Sequence, residues 1–372
     1  MWIVITGVSI LVTICGMAYL YTRFQRFAIV RRIAGERILI QRILALIPVL
    51  IIVSCFLIDG VNTIVVVLNL IMFWVLGDFI KWIIKKISIR PHDETVSVKP
   101  YYTGIIVLIF TTVYLCAGWY LEHHVWKTEY NLTTDKDIGQ EKLKAVFFAD
   151  SHIGNSFDGE GFAEHMKIIQ AEEPDILFIV GDYVDDDTRK EDMVRSCQAL
   201  LDLKTSYGVF YVSGNHDKGY FNNRDFSYEE LTAELEKNGV TVLDDETVKI
   251  NDSFYVIGRK DRSYQNRKSA SEMKEGLDTD KYMMMLDHQP NDYDAEAASG
   301  VDLVLSGHTH GGQMFPINIL SILSGVNDSI YGYDKRNNTE FIVTSGISCW
   351  AIKFKTATRS EYVVINISGK NN

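Results

Sequence analysis

Residues 145–152, AVFFADSH, join a short run of apolar and aromatic side chains to a cluster of polar ones. The pattern recurs along the chain, where GDYVD (181–185), SGNHD (213–217), DH (287–288) and SGHTHGG (306–312) each begin at the end of an apolar run. Apolar runs of about four to eight residues beside turn-forming residues are typical of buried strands. We therefore predict that each polar cluster follows a strand.

The wider pattern alternates between strands and helices. Strand-like runs lie at 145–149, 176–180, 209–212, 254–257, 283–286, 301–305 and 341–343. Helical spacing of apolar residues marks 161–171, 191–203 and 228–238 between several of these runs. This alternation is typical of βαβ units and predicts a layered α/β domain. Because sites in such domains form at the carboxyl ends of strands, we expect the five clusters to converge on one rim.

The first third of the chain has a different composition. Four runs, at roughly 1–21, 38–58, 61–80 and 102–121, are apolar and close to the length of about 20 helical residues that crosses a bilayer. We predict four transmembrane helices, a polar connector at 122–142 and a soluble domain at 143–372. Short spans without an internal repeat or a chain of ionisable residues favour a membrane anchor over a transporter.

Basic residues in the short links predict the orientation of these spans. Segment 22–37 contains five arginines and segment 81–100 contains five lysines and arginines, whereas the link at Asp59 and Gly60 contains neither. Short basic loops stay in the cytoplasm. We therefore expect a multi-pass protein of the cell membrane, whose soluble domain lies on the extracytoplasmic face.

The charge and the cysteines exclude some classes of partner and site. Residues 122–372 carry a net charge of −17, against +6 for residues 1–121. An acidic domain repels phosphate backbones, so no nucleic-acid partner is expected. Only Cys197 and Cys349 lie outside the apolar runs, and without CxxC spacing they indicate no zinc cluster. One disulfide between them is left open, as is the oligomeric state.

The polar clusters supply the donor atoms that hard and borderline divalent cations prefer. The candidates are carboxylates, an amide and imidazoles, with no thiolate, and comprise Asp150, His152, Asp182, Asn215, His288, His308 and His310. Asp182 offers two oxygens and can bridge a pair of cations. A lone GD or GNH is common in turns, and His288 alone would more often be a buried, hydrogen-bonded histidine. The joint pattern of five clusters in this order predicts a metal site.

The ordered set D-x-H, GD, GNH[DE], H and GHxH resembles the calcineurin-like metallophosphoesterase pattern, over roughly residues 143–366. Within that family, GHTHGGQMFP (307–316) looks like a branch of membrane-associated bacterial phosphodiesterases that includes UDP-diacylglucosamine pyrophosphohydrolases. The resemblance implies a two-sheet α/β/β/α sandwich. It also implies two divalent metal ions, with manganese favoured over iron, zinc and cobalt.

The same resemblance assigns roles to residues. One ion would be held by Asp150, His152, Asp182 and His310, and the other by Asp182, Asn215, His288 and His308. His216 would protonate the departing oxygen, and Asp217 would orient His216 by a hydrogen bond.

Three functions follow as hypotheses. The first is hydrolysis of a phosphodiester or pyrophosphate in an envelope lipid or polymer, by water activated between two cations. The second is a cytoplasm-facing UDP-lipid pyrophosphohydrolase, and the third a non-catalytic membrane sensor or scaffold. A phosphate ester, lipid-linked or not, is thus the expected substrate, and the bilayer the expected surrounding. The apolar stretch Met314–Leu323 either holds an acyl or prenyl chain or forms a core segment.

Overall fold

The structure is a computed structural model that describes residues 2–87, 100–221 and 224–369. The chain divides into two compact units, Met1–Ala117 and Gly118–Asn372. Among the described residues five helices come first, and the fifth continues into the second unit: α1 (Trp2–Phe24), α2 (Ala28–Ala34), α3 (Ile38–Cys55), α4 (Gly60–Ile87) and α5 (Tyr102–His123).

Three helices among the described residues, α3, α4 and α5, are long and apolar enough to cross a membrane. Helix α1 contributes the shorter apolar stretch Ile10–Phe24. The first of the four predicted spans therefore stays a prediction. Residues 88–99, which hold part of the predicted basic link 81–100, lie outside the described residues. Aromatic side chains such as Phe24 and Trp74 fill the interior of the first unit.

The second unit contains two six-stranded mixed sheets in the described part of the chain. Its strands are β1 (Trp126–Thr134), β2 (Lys142–Phe148), β3 (Ile176–Val180), β4 (Val209–Val212), β5 (Val240–Val242), β6 (Glu246–Ile250), β7 (Phe254–Gly258), β8 (Tyr282–Leu286), β9 (Leu303–Ser306), β10 (Gly332–Arg336), β11 (Thr339–Val343) and β12 (Glu361–Gly369). The first sheet has the order β1-β12-β2-β3-β4-β5, and the second β10-β11-β9-β8-β7-β6. Strands β2 to β5 are parallel, as are β7, β8, β9 and β11.

The remaining helices of this unit are α6 (Gly159–Gln170), α7 (Lys190–Leu201), α8 (Tyr228–Lys237), α9 (Ala270–Lys274), α10 (Tyr293–Ser299) and α11 (Ile317–Ser324). Five of them, α6 to α10, form the outer layers of the fold. Alternate residues of the first sheet, such as Val146 and Ile179, pack against α6, α7 and α8. Residues of the second sheet, such as Met283 and Val304, pack against α9 and α10.

The main core lies between the two sheets. Phe147 and Phe178 of the first sheet share one buried cluster with Phe254, Met284 and Leu305 of the second. Because side chains alternate along a strand, the neighbouring residues face the helices instead. The order of layers is therefore helix, sheet, sheet, helix, which confirms the α/β/β/α sandwich expected from the sequence.

All seven predicted strands are present, but the predicted connector at 122–142 is wrong in part. Residues Trp126–Thr134 form β1, which pairs in parallel with β12. Its side chains alternate between exposed and half-buried positions and only Leu132 is buried. This polar edge strand therefore lacks the apolar run by which buried strands were recognised. Cys197 and Cys349 are both buried free thiols, so the disulfide left open by the sequence is not formed.

Candidate metal centre

The five polar clusters follow β2, β3, β4, β8 and β9, at the carboxyl ends of these strands. Three groups of candidate ligand atoms lie there among the described residues, each with all its atoms within 4.8 Å of one another; two consist of predicted ligands, and the third joins His152 to Asp185 and His216. The first group comprises Asp150, His152 and His310, and the second Asp182, His288 and His308. Asn215 lies in the loop after β4, and its Oδ1 is buried without a hydrogen-bond partner among the described residues.

Asp182 lies between the two groups. Its Oδ2 is 3.1 Å from Nε2 of His288 in the second group and 3.8 Å from Nε2 of His152 in the first. Its Oδ1 accepts a 2.8 Å hydrogen bond from the backbone N–H of His216. One carboxylate thus reaches both sets of donors while its other oxygen is held by the backbone.

Hydrogen bonds with the backbone orient two of the predicted ligands, His288 and Asp150. Nδ1 of His288 lies 2.8 Å from the carbonyl oxygen of Val180, so this nitrogen carries the proton and Nε2 faces Asp182. The backbone N–H of His308 donates to both carboxylate oxygens of Asp150, at 2.9 and 3.0 Å. Such outer contacts fix the tautomer and direction of metal-binding side chains.

The ligand loops have an unusual backbone conformation. Asp150, His152, Asp182, His308 and His310 all have positive φ angles, between 38° and 71°. Non-glycine residues rarely adopt this left-handed region, and each such residue costs about 1–3 kcal/mol. Strained conformations of this kind cluster at functional sites, where the surrounding structure holds them in place.

Two glycines let the loops approach one another closely. A Cβ atom on Gly214 would overlap the carboxylate of Asp182, and one on Gly307 would lie 2.7 Å from Oδ2 of Asp150. Neither position can accept a side chain without displacing a predicted ligand.

The donor atoms fit divalent metal ions. Nε2 of His152 and Nδ1 of His308 are buried and have no hydrogen-bond partner within the described ranges. A buried polar atom without a partner costs about 1–3 kcal/mol, which a metal–ligand bond would offset. Carboxylate, amide and imidazole donors without thiolate suit hard and borderline divalent cations.

Electrostatics favour metal-binding protonation states at His308, His310 and Asp182, but not at every predicted ligand. Burial raises the pKa of Asp150 to about 6. Burial lowers the pKa of His288, but Asp182 and Asp150 outweigh this effect and raise it well above the ordinary value. Burial and the nearby His288 lower the pKa of His308, and burial with the nearby His152 lowers that of His310 well below the ordinary value. Burial disfavours the charged form of Asp182, but the imidazoles around it outweigh this effect and hold its pKa well below the usual range. Neutral imidazoles beside an ionised carboxylate are the species that bind metal.

The structure corrects the predicted role of Asp217. The carboxylate of Asp217 accepts hydrogen bonds from the backbone N–H groups of Asp182, Tyr183, Val184 and Gly214, at 2.7–3.1 Å. It therefore holds the loop that carries Asp182 and does not orient His216.

Asp185 takes the role that was assigned to Asp217. Its Oδ1 lies 3.0 Å from Nδ1 of His216, and its Oδ2 lies 3.4 Å from Nδ1 of His152. Burial lowers the pKa of His216, but Asp185 and Asp182 outweigh it and raise that pKa above the ordinary value. The signal for Asp185 was present in the sequence as the last residue of the cluster GDYVD.

Aromatic residues that the sequence analysis missed surround His216. The rings of Tyr220 and Trp350 lie 5.0 and 5.3 Å from its imidazole, and the hydroxyl of Tyr220 accepts a 2.8 Å hydrogen bond from Nδ2 of Asn215. No motif in the sequence marked either residue.

Residues 143–312 match the family described as calcineurin-like phosphoesterase. An uncharacterized metallophosphoesterase of Aquifex aeolicus (strain VF5) is 30% identical over 271 residues, which cover 71% of this chain and 100% of that protein. The chain belongs to the calcineurin-like metallophosphoesterase family. This metallophosphoesterase is accordingly a hydrolase of phosphoric ester bonds, and its clustered ligands imply divalent metal ions.

Two further relatives of this metallophosphoesterase extend into its N-terminal part. An uncharacterized metallophosphoesterase of Campylobacter jejuni is 29% identical, with 79% of this chain and 76% of that protein covered. A Danio rerio protein named "transmembrane protein with metallophosphoesterase domain" is 26% identical, with 73% of this chain and 64% of that protein covered. Together with the apolar helices α3, α4 and α5, the Danio rerio relative supports membrane association.

Solved structures align more weakly with this metallophosphoesterase. The protein TT1561 of Thermus thermophilus and a dimetal phosphatase from Danio rerio both align with a TM-score of 0.35, at 11% and 10% identity. Each alignment covers 54% of this chain, and 88% and 86% of the respective structures. The family assignment depends on the sequence matches.

Proposed function

We propose that this metallophosphoesterase hydrolyses a phosphodiester or pyrophosphate bond in an envelope lipid or polymer. Residues 143–372 would form the catalytic domain and residues 1–121 its membrane anchor. The observation that carries the proposal is the position of Asp182, whose Oδ2 is within 3.8 Å of imidazoles in both ligand groups. A carboxylate shared by two sets of donors is the arrangement that a pair of cations needs.

We assign the ligands to two ions as follows. The first ion would be held by Asp150, His152, Asp182 and His310, and the second by Asp182, Asn215, His288 and His308. When bound, two divalent cations supply an activated water nucleophile and neutralise charge on the phosphoryl oxygens. Manganese is the favoured metal among manganese, iron, zinc and cobalt, which all suit these donors.

His216 serves as the proton donor in this proposal. Its Nδ1 is held by Asp185 at 3.0 Å, so Nε2 is the nitrogen available to protonate the departing oxygen. Its raised pKa, caused by Asp185 and Asp182 against the opposing effect of burial, favours the imidazolium form that such an acid requires. This pairing also distinguishes an enzyme from a non-catalytic scaffold, which has no need of an oriented acid.

The test compares a diester with a monoester. The full-length protein is purified in detergent, stripped with EDTA, supplied with Mn²⁺ and assayed with bis(p-nitrophenyl) phosphate and p-nitrophenyl phosphate. We expect kcat/KM for the diester to exceed that for the monoester, with turnover lost in Asp182→Asn. The matched control is Asp202→Asn, which changes an exposed carboxylate at the end of α7. A preference for the monoester, or no turnover of either ester, would contradict the proposal.

A further inference from the structure

Helix α11 has an apolar surface that none of the described residues covers. None of its residues is buried, and Leu320 and Leu323 are 64% and 76% exposed. The exposed apolar side chains of this segment are Phe315, Ile317, Ile319, Leu320, Ile322 and Leu323. No charged residue occurs between His310 and Asp328. The structure therefore excludes the core segment that was one interpretation of Met314–Leu323, and a contiguous patch of this kind marks an interaction surface.

This apolar segment begins and ends at the metal centre. It follows His310 through the turn at Gly311 and Gly312, and buried Met314 fixes its start. After α11 the chain returns to the same place, where the hydroxyl of Thr309 donates a 2.6 Å hydrogen bond to the carbonyl of Ile330. Whatever α11 contacts is therefore next to the predicted ligands His308 and His310.

The segment is also bonded to residues 352–356. The side chain of Gln313 donates to the carbonyl of Ile352 at 2.9 Å, and the backbone N–H of Thr356 donates to the carbonyl of Gln313 at 2.9 Å. The backbone N–H of Phe315 donates to the Thr356 hydroxyl at 3.1 Å. Trp350, which is 39% exposed, lies just before this stretch and beside His216. The segment that contains α11 and the loop 350–356 thus form one surface beside the candidate metal centre.

Residues 355 and 360, in and just after this stretch, form hydrogen bonds with the end of helix α5. The backbone N–H of Lys355 donates to the carbonyl of Gly118, and that of Ser360 to the carbonyl of Leu121, each at 2.9 Å. The hydroxyl of Ser360 donates to the carbonyl of Glu122 at 2.6 Å. These carbonyls belong to the last turns of a helix that is long and apolar enough to span a membrane.

Aromatic residues mark the level of the membrane surface on α5. Trp119 and Tyr120 are about half exposed, and the first charged residue of the helix is Glu122. Tryptophan and tyrosine are enriched where a span leaves the hydrocarbon layer. The loops that bond to Gly118, Leu121 and Glu122 must lie at this level. Helix α11 has eight residues and is about 12 Å long. It is connected to the end of α5 through the hydrogen bonds of residues 352–356.

We propose that α11, with Phe315 and Trp350, lies in the head-group layer of the membrane that anchors α5. The metal centre then opens toward phosphate groups at the bilayer surface, and its substrate is a membrane-resident amphiphile whose phosphodiester or pyrophosphate lies at that depth. This second part rests on the proposed function. We assign the bilayer to this apolar surface because α5 holds the surface next to the membrane at all times, whereas a protein partner would have to be recruited.

The insertion is tested without catalysis. The full-length protein, with Cys15, Cys55 and Cys116 replaced by alanine, receives Leu320→Cys, is labelled with the environment-sensitive dye NBD and is placed in phospholipid nanodiscs. The matched control is Ile168→Cys, an equally labelled position on α6 that is 51% exposed. Lipids with a nitroxide near the head group should quench the dye at 320 by about half and leave the dye at 168 unaffected, because interfacial helices bury about 5–10 Å into this layer.

Two results would overturn the insertion. In the first, the dye at position 320 has the same emission as the dye at position 168 and is not quenched, which means that α11 is exposed to water. In the second, the dye at position 320 has blue-shifted emission but is not quenched by the lipids, which means that protein, such as a second copy, covers α11.

The substrate class is tested separately in the same nanodiscs. The rate with a phospholipid that carries a fluorescent group on its phosphodiester is divided by the rate with bis(p-nitrophenyl) phosphate in water. The double variant Leu320→Glu with Leu323→Glu should lower this ratio at least tenfold, whereas Ile168→Glu should not change it. An unchanged ratio would contradict a membrane-resident substrate. If the unmodified protein hydrolysed neither substrate, the proposed function would be contradicted, but the quenching result would still show whether α11 inserts into the bilayer.

Discussion

The imidazole of His216 and the carboxylate of Asp185 form a pair whose geometry suits proton donation. Nδ1 of His216 and Oδ1 of Asp185 are 3.0 Å apart, beside the two ligand groups. A positioned general acid contributes about 100-fold to 10,000-fold to a rate. We therefore expect His216→Ala to lower kcat for bis(p-nitrophenyl) phosphate within this range, with the bound metal content unchanged. His165→Ala, a half-buried histidine of α6 away from the ligands, serves as the control and should retain kcat.

Asp185 should act through His216, so its removal should cost less than removal of the acid itself. Asp185→Asn keeps the shape of the side chain and loses its charge. We expect a smaller loss of kcat than in His216→Ala, and little additional loss when both changes are combined. Losses that multiply in the double variant would show that Asp185 acts independently of His216.

Asp217 is expected to contribute to the stability of the fold and not to proton transfer. Its carboxylate accepts four backbone N–H groups, and hydrogen bonds to charged acceptors each contribute about 1.5–3 kcal/mol. Asp217→Asn turns an N–H₂ group toward those donors. It should lower the free energy of unfolding by a few kcal/mol, measured as a lower melting temperature of the full-length protein in detergent. Asp202→Asn, with an exposed carboxylate, should melt like the unmodified protein.

Residue types and their order predicted the candidate site, but not every partner. All seven predicted ligands lie in loops after the strands, and six fall into the two groups. The prediction that Asp217 orients His216 came from the family resemblance, and the hydrogen bonds of the structure contradict it. Asp217 bonds to the backbone of the loop that carries Asp182, whereas Asp185 lies 3.0 Å from Nδ1 of His216. Which acidic residue contacts an imidazole depends on how separate loops fold together, and residue types and their order do not give that.

Among secondary-structure elements, burial decided which strands were predictable. The predicted strands β3, β7 and β8 are buried along their whole length, because each has neighbours on both sides and layers above and below. The strands at the sheet edges, β1, β5, β6 and β10, were all missed. Edge strands such as β10, with the sequence GYDKR, are polar and half exposed. Strand β12 is not an edge strand and has an apolar run like those of the predicted strands, so it could have been predicted from the sequence.

The close approach of two loops at Gly214 leads to a prediction for that element. A Cβ atom there would overlap the carboxylate and the backbone nitrogen of Asp182. Gly214→Ala should therefore displace Asp182 and weaken Mn²⁺ binding at least tenfold, measured by isothermal titration. Gly369→Ala, whose Cβ would have its nearest neighbours at 3.7 Å, is the control and should bind Mn²⁺ normally. Normal binding by Gly214→Ala would show that Asp182 is not the shared ligand.

At the scale of the whole molecule, the orientation in the membrane is still a prediction from basic residues. A protein with Cys15, Cys55 and Cys116 replaced by alanine is given either Asp202→Cys in the second unit or Glu36→Cys in the arginine-rich segment 22–37. A membrane-impermeant maleimide should label position 202 in intact protoplasts and position 36 only after permeabilisation. The reverse labelling would place the catalytic domain in the cytoplasm and favour a nucleotide-lipid substrate.

Asp182 would be the carboxylate shared by two metal ions, which would make the two ligand groups a single centre. The most direct measurement is the manganese content of the full-length protein after equilibration with Mn²⁺ and gel filtration, by mass spectrometry of the metal. We expect two ions per chain in the unmodified protein and in Asp202→Asn, and fewer than one in Asp182→Asn. A single ion in the unmodified protein, or two ions retained by Asp182→Asn, would contradict this expectation.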